Sequence, residues 1–227
     1  MKLVHPDYTF QIEFEECRIE RLIIESPTFF SAMIRDLQLQ TEGKPGKWVL
    51  SDQAEILKIA SNCELVVNLF DVDSNQRKLL NVIYGNLEKQ IGETELLLKW
   101  NEITTGVEQL LNLAIEETDL DLVFETPDLK SVLKMSDIHF ERNETGYVEY
   151  LMEYLRLVSQ IRGVSLFVLV NTSSFLTQEE LKFLYEQAFY KKYHLLLLDS
   201  FYVPVDSSVE NTIIIDKDYC IIDINMK

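Results

Sequence analysis

Leu166-Phe167-Val168-Leu169-Val170-Asn171 and Leu195-Leu196-Leu197-Leu198-Asp199 decide the fold of this chain. Each is an apolar run without alternation that stops on a polar residue, the pattern of a strand buried on both faces of a parallel sheet. Between them Thr177-Gln178-Glu179-Glu180 is a capping box, and Leu181, Leu184 and Tyr185 continue along one face of a crossover helix. Strand, helix and strand make a βαβ unit. Beyond it, Ile213 to Ile215, a turn around Asp216-Lys217-Asp218, and Cys220 to Ile222 read as an edge hairpin.

Towards the N-terminus the chain again alternates short strands with a helix. Tyr8, Phe10, Ile12 and Phe14 alternate with polar residues, which predicts a half-buried strand. Leu22 to Ile24 is a second strand, and Ser26-Pro27 then supplies a cap and a first-turn proline for a helix carrying Phe30, Ile34 and Leu37. Gly43-Lys44-Pro45-Gly46-Lys47 breaks that helix. Trp48 to Leu50 and Leu65 to Phe70 read as further strands.

The middle of the chain is helical. Leu80, Ile83, Leu87 and Ile91 share one face of a helix over 76–91. Leu96, Trp100, Ile103, Val107, Leu110 and Ala114 form a heptad-like seam over 94–118, the mark of a helix packed along another helix. Thr126-Pro127 opens a short helix through Lys134, and 146–161 forms one with Tyr147, Leu151, Tyr154 and Val158 inward. The order predicts an α/β domain from residues 1–73 and 163–227, with an α-helical domain, 74–162, inserted between its halves.

Bulk properties narrow the function. Hydrophobic residues make up 47% of the 227 positions, which suits a globular chain with one sizeable core. No apolar stretch is long enough for a membrane helix, and the first ten residues lack a signal-peptide core, so the expectation is a cytoplasmic protein without membrane contact. Cys17, Cys63 and Cys220 form no CxxC pair and are expected to be buried free thiols; with scattered histidines they exclude a zinc site. A net charge of −17 argues, taken alone, against nucleic acid.

Catalytic machinery is not legible. A nucleotide hydrolase needs a glycine-rich loop, a lysine and a serine or threonine between a strand and a helix. After Ile24 stands Glu25-Ser26-Pro27-Thr28, without glycine or lysine, and the Gly43–Lys47 loop has the wrong spacing. Asn171 and Asp199, at strand ends, are read as capping residues. No sequence context singles out a serine or cysteine nucleophile.

The acids are the informative feature. Glu116-Glu117-Thr118-Asp119-Leu120-Asp121 and then Glu125 and Asp128 lie in one run without a basic residue, and Glu141 and Glu144 follow the next helix. Oxygen-only donors suit a hard cation, Ca²⁺ before Mg²⁺. The run is not an EF-hand, because Val123, Phe124 and Lys130 stand where a ligand, a glycine and the closing glutamate are required. Read by spacing alone, a solvated acidic linker is the favoured alternative.

Four segments in order carry a resemblance: Phe70-Asp71-Val72-Asp73; Asp119-Leu120-Asp121-Leu122; Phe167-Val168-Leu169-Val170-Asn171 followed by Phe175-Leu176-Thr177; and Ile215-Asp216-Lys217-Asp218-Tyr219. With them the chain resembles, over nearly its whole length, the short form of the ring-forming adaptation protein of type II-A CRISPR systems. The resemblance implies a degenerate P-loop-ATPase-like sheet domain with an α-helical domain, and no enzymatic activity. It also implies a homotetrameric ring that holds Ca²⁺ and threads linear double-stranded DNA during spacer acquisition, together with the integrase proteins and the RNA-guided nuclease. Carried onto this chain, the metal positions fall on Glu117, Asp119, Asp121, Glu125 and Glu141, with Glu116 and Glu144 beside them. Lys130 and Lys134, one helical turn apart, are the first candidates for DNA contact, followed by Lys44, Lys47 and Arg142. The alternative is an acidic protein-interaction scaffold of the adaptation complex that does not touch DNA.

Overall fold

A computed structural model describes residues 1–141, 146–205 and 208–224. The chain divides into two compact units, Met1–Asp73 with Glu144–Lys227, and Ser74–Asn143.

The first unit contains β1 (Lys2–Val4), β2 (Gln11–Glu13), β3 (Ile19–Ile24), α1 (Pro27–Thr41), β4 (Val49–Asp52), β5 (Glu55–Leu57), α2 (Ile59–Asn62) and β6 (Cys63–Val66). The chain enters the second unit through a 3₁₀ turn, Leu69–Asp71. That unit holds α3 (Arg77–Gly92), α4 (Leu96–Glu116) and α5 (Leu129–Met135). Back in the first unit follow α6 (Tyr147–Arg162), β7 (Leu166–Val170), α7 (Gln178–Lys191), β8 (His194–Asp199), β9 (Glu210–Ile215) and β10 (Ile221–Asp223).

The main sheet has the order β10-β9-β3-β8-β7-β6. Strands β9, β3, β8, β7 and β6 run parallel, and β10 returns antiparallel on β9. This is the expected α/β class, and β7-α7-β8 is the expected βαβ unit. Every residue of β3 and β7 is buried: β7 is an unalternated apolar strand covered on both faces, and β3 buries Glu20 and Arg21 alongside its apolar residues. On one face, Leu22, Ile24, Val168, Leu196 and Leu198 join Met33 and Leu37 of α1 in one core. That core also takes Leu3, Ile12 and Leu50 from a second, antiparallel sheet, β2-β1-β4-β5, and Trp48 just before β4. The opposite face is tied to helices by two tyrosines, Tyr154 of α6 donating to Glu64 and Tyr185 of α7 donating to Glu210, each at 2.6 Å.

Several expectations are corrected. Helix α6 belongs to the α/β unit rather than to the inserted one. It buries seven residues, Val148, Leu151, Met152, Tyr154, Leu155, Leu157 and Val158, and Arg162 at its end pairs with Glu64 on β6. The strand expected over 8–14 shrinks to Gln11–Glu13, because Tyr8 and Phe10 stack on each other instead of entering a ladder. The strand expected over 65–70 ends at Val66, since Asn68 caps the following turn through the Phe70 N–H. Helix α5 is capped by Asp128, which accepts from the Ser131 N–H at 2.9 Å, not by Thr126-Pro127. Only Cys63 is a buried thiol, its pKa raised by burial; Cys17 and Cys220 are exposed.

In the second unit α3 packs on α4 and on α5. The seam on α4 is rotated from the expected one. Trp100, Val107, Leu111 and Ile115 are half-buried, whereas Leu96, Ile103, Leu110 and Leu113 are exposed and no α4 residue is fully buried.

Candidate functional site

In a parallel α/β sheet, ligands gather at the carboxyl ends of the strands. Here the two places that a nucleotide hydrolase would use are closed by the chain itself. The connection from β3 to α1 is the pair Glu25-Ser26. Ser26 caps α1 by accepting from the Phe29 N–H, and the Glu25 N–H is spent on the Ile215 carbonyl. So short a turn leaves no ring of free N–H groups around a phosphate.

The acid at the end of β8 is also occupied. Asp199 is 2% exposed, and its Oδ2 accepts from Arg21 Nε at 3.0 Å and from Ser173 Oγ at 2.7 Å. Arg21 is itself buried in the middle of β3. Its Nη1 donates to the Val203 carbonyl at 2.7 Å and to Glu210 Oε2 at 3.3 Å, and Tyr202 stacks its ring over the guanidinium. Tyr185 donates to the other oxygen of Glu210; burial, with Glu210 beside it, raises the tyrosine's pKa. A carboxylate neutralised by a buried guanidinium is poorly placed to hold a metal–nucleotide. Asp199 is therefore an ion-pair residue, where capping was expected. Asn171 is a cap: it sits at φ 50° and its Oδ1 accepts from Ser200 N at 2.8 Å and Ser200 Oγ at 2.9 Å.

The glycine loop cannot cradle a phosphate either, because it leads from helix α1 into strand β4 rather than from a strand into a helix. Gln40 brackets Trp48, donating to its carbonyl at 2.8 Å and accepting from its N–H at 2.9 Å. A Cβ on Gly46 would stand 2.4 Å from the Gln40 side chain, which explains that glycine. Lys44 pairs with Glu42 at 2.6 Å, and Lys47 pairs with Asp7. Both lysines are thus engaged by carboxylates of their own unit.

The acidic run is exposed. Glu116 closes α4, Glu117 caps it, and Asp119, Asp121 and Glu125 follow in the connection to α5, with Glu141 after that helix. Glu144 and Arg142 lie outside the described residues. Among the described residues no three acidic, histidine or cysteine side chains are gathered so as to hold a metal. The donor chemistry suits a hard cation, while the arrangement is that of separate solvated carboxylates. Lys130 and Lys134 are both exposed on α5, where Asp128 organises the first turn with its carboxyl held below its usual range by the Ser131 hydrogen bonds.

Reading the sequence missed the Arg21–Asp199–Glu210–Tyr185 network. One signal was available: an arginine inside the apolar strand that ends in Leu22-Ile23-Ile24 demands a buried carboxylate. A second missed residue is Glu20, 3% exposed, whose carboxyl is pushed up to about 7 chiefly by burial.

Comparison with known proteins adds the family. Residues 40–219 match the model of the CRISPR-associated protein Cas_Csn2 family. A CRISPR-associated protein Csn2 from Streptococcus agalactiae is 24% identical over 206 residues, 90% of this chain and 90% of that protein. One from Enterococcus faecalis is 22% identical over 213 residues, 83% of this chain and 96% of that protein. Among solved structures, a putative ABC transporter ATP-binding protein from Pyrococcus furiosus covers 93% of this chain and 97% of its own, at 10% identity and a TM-score of 0.41, a likeness too weak to bear on the argument. The family match spans most of the chain and includes β7, β8, β9 and the acidic run, and the chain belongs to the Csn2 family of CRISPR-associated proteins.

Proposed function

We propose that this chain is a non-catalytic DNA-binding protein of CRISPR spacer acquisition, one that holds linear double-stranded DNA ends in a homotetrameric, Ca²⁺-dependent ring. The observation that carries the non-catalytic half is the buried Arg21–Asp199 pair, which occupies the strand-end position a nucleotide-bound metal would need. The two-residue turn before α1 supports the same reading. Contact with DNA falls to Lys130 and Lys134, which present two charges on one exposed helix face and suit phosphates rather than bases. The exposed stripe Leu96, Ile103, Leu110 and Leu113 supports assembly with further copies. Glu117, Asp119, Asp121, Glu125 and Glu141 would hold the ion, with Glu116 and Glu144 beside them. Bound Ca²⁺ would neutralise carboxylates that otherwise repel one another. The integrase proteins and the RNA-guided nuclease of the same system are the proposed partners.

The decisive experiment is a gel shift of linear and closed circular duplex with Ca²⁺ and with a chelator, paired with sizing of the protein in both conditions. The reading expects the linear duplex alone to shift, only with Ca²⁺, and a larger assembly in Ca²⁺. Equal retention of circles, or indifference to the chelator, defeats it. The net charge of −17 favours the scaffold reading, and absence of DNA binding at low salt with Ca²⁺ would establish that one instead.

A further inference from the structure

The face of the main sheet that carries the core continues outward onto β9 and β10, where Phe29 at the start of α1 borders it. Its outermost row reads Asn211, Ile213 and Ile215 on β9, with Asp223 opposite Ile213 and Ile221 opposite Ile215. Residues 7–15 run along the other side. Two adjoining cavities open between these walls. One, of about 330 Å³, is lined by Tyr8, Phe10, Phe29, Tyr219, Ile215 and Ile221, with Asp7 and Thr9 at its edge. The next, of about 370 Å³, is lined by Glu13, Glu15, Glu20, Asp223, Arg18 and Asn211, with Gln11 and Ile213. Ile221 and Asp223 are alternate residues of β10, and Ile215 and Ile213 of β9, so the two cavities follow one another along the same pair of strands and together form the groove.

The halves differ in chemistry. The first is aromatic: Tyr8 and Phe10 stack, Phe29 meets Tyr8 edge-on at 4.7 Å, and Tyr219 leans on Phe29 at 5.6 Å. Tyr219 is held at φ 66°, and the Asp216 side chain fixes that turn by accepting from the N–H groups of Asp218 and Cys220. The second half is lined by four carboxyl groups and the guanidinium of Arg18. Lys2 pairs with Glu13 from outside it, and Arg18 is engaged by the Ser208 carbonyl. Burial, together with Glu15 and Glu13, pushes the Glu20 carboxyl up to about 7, against the opposing effects of the Asn211 hydrogen bond and Arg18. An incoming cation would relieve that crowding.

We propose that this groove docks an extended segment of a partner protein that carries one aromatic or large aliphatic side chain followed, two and four residues on, by arginine or lysine. Alternate side chains of an extended chain project to one side about 6.4–6.8 Å apart, which matches the step from Ile221 to Asp223. Charge selects the occupant. Nucleic acid would bring phosphates to a stretch whose carboxyl groups outnumber its cations, Arg18 and the Lys2 that pairs with Glu13, and a second copy of a chain with 38 acidic and 21 basic residues is a poor source of cations. The groove lies wholly within the first unit and requires neither Ca²⁺ nor DNA, so it stands apart from the ring reading.

The test is fluorescence anisotropy of the full chain, without Ca²⁺ or DNA, against a fluorescein-labelled heptapeptide of glycine, phenylalanine, threonine, arginine, threonine, arginine and glycine. Saturable binding is expected, weakened at least tenfold when phenylalanine becomes alanine and abolished when both arginines become glutamate. Glu15→Lys with Asp223→Lys, and separately Tyr219→Ser, should each weaken it at least tenfold while leaving the urea midpoint unchanged. Should a charge-reversal variant lose its midpoint, Glu15→Gln with Asp223→Asn takes its place, with at least a threefold loss expected. Lack of saturable binding overturns the proposal. So does equal affinity for the charge-swapped peptide, or affinity unaffected by the folded variants. Displacement of the peptide by a short DNA duplex would also overturn it.

Discussion

Arg21 Nε lies 3.0 Å from Asp199 Oδ2, joining the middle of β3 to the end of β8 across 178 residues of sequence in a place neither side chain shares with solvent. The same guanidinium reaches Glu210 at the start of β9, so one arginine pins three adjacent parallel strands. Removing it leaves two buried carboxylates facing each other. Arg21→Met is expected to lower the free energy of unfolding by about 3–5 kcal/mol, read from urea denaturation. Asp199→Asn, which keeps the Ser173 contact, should cost less, and an equal loss in both variants would contradict the pairing described.

Stability should carry a pH signature from Glu20. Its carboxyl titrates near 7 in the folded protein against an ordinary value of 4.5, burial being the main cause. The folded state therefore holds the proton more tightly than the unfolded chain. That contribution is full below 4.5 and is lost as pH rises through 7. Between about pH 5 and about pH 8 the urea midpoint of the wild type should fall more than that of Glu20→Gln. Parallel pH profiles would place the titrating group elsewhere.

Gly46 and Gln40 should behave as one unit. A methyl group at Gly46 meets the Gln40 side chain and dislodges it from both Trp48 hydrogen bonds. Gly46→Ala and Gln40→Ala are each expected to cost about 1–3 kcal/mol. The double variant should cost clearly less than their sum, because each alone breaks the same bracket. Thermal unfolding of the three variants checks this.

If DNA runs over α5, Lys130→Gln and Lys134→Gln should weaken linear-duplex binding alike for every sequence tested. Each lost phosphate contact should also reduce the slope of log K against log salt by about 0.9. The same changes at Lys44 and Lys47, already paired with Glu42 and Asp7, should leave the slope unchanged. A filter-binding salt titration distinguishes the two pairs.

Thr177 and Glu180 cap α7 reciprocally, the Glu180 side chain accepting from the Thr177 N–H at 2.8 Å. Thr177→Ala is expected to cost about 1 kcal/mol in urea denaturation, while Thr41→Ala, on the exposed last turn of α1, should cost less.

The sequence by itself determined whatever depends on neighbours along the chain. Val168 and Leu197 announce doubly covered strands, Thr177 and Glu180 announce the helix between them, and Ser26-Pro27 announces α1 while leaving no room for a phosphate loop. The acidic run from Glu116 to Asp128 is equally plain. Periodicity shows that a side chain is buried but not what buries it, and there tertiary structure decided. The inward face of α6 was legible, yet its docking on the sheet, with Tyr154 and Arg162 meeting Glu64 on β6, was not. The apolar stripe of α4 was legible too, but its rotation, Trp100 inward and Ile103 outward, depends on α3. The Arg21–Asp199 pair and the groove between residues 7–15 and 211–223 join segments that meet only once the strands are ordered. Strand order is fixed by long-range pairing and shared burial, and no local pattern encodes it.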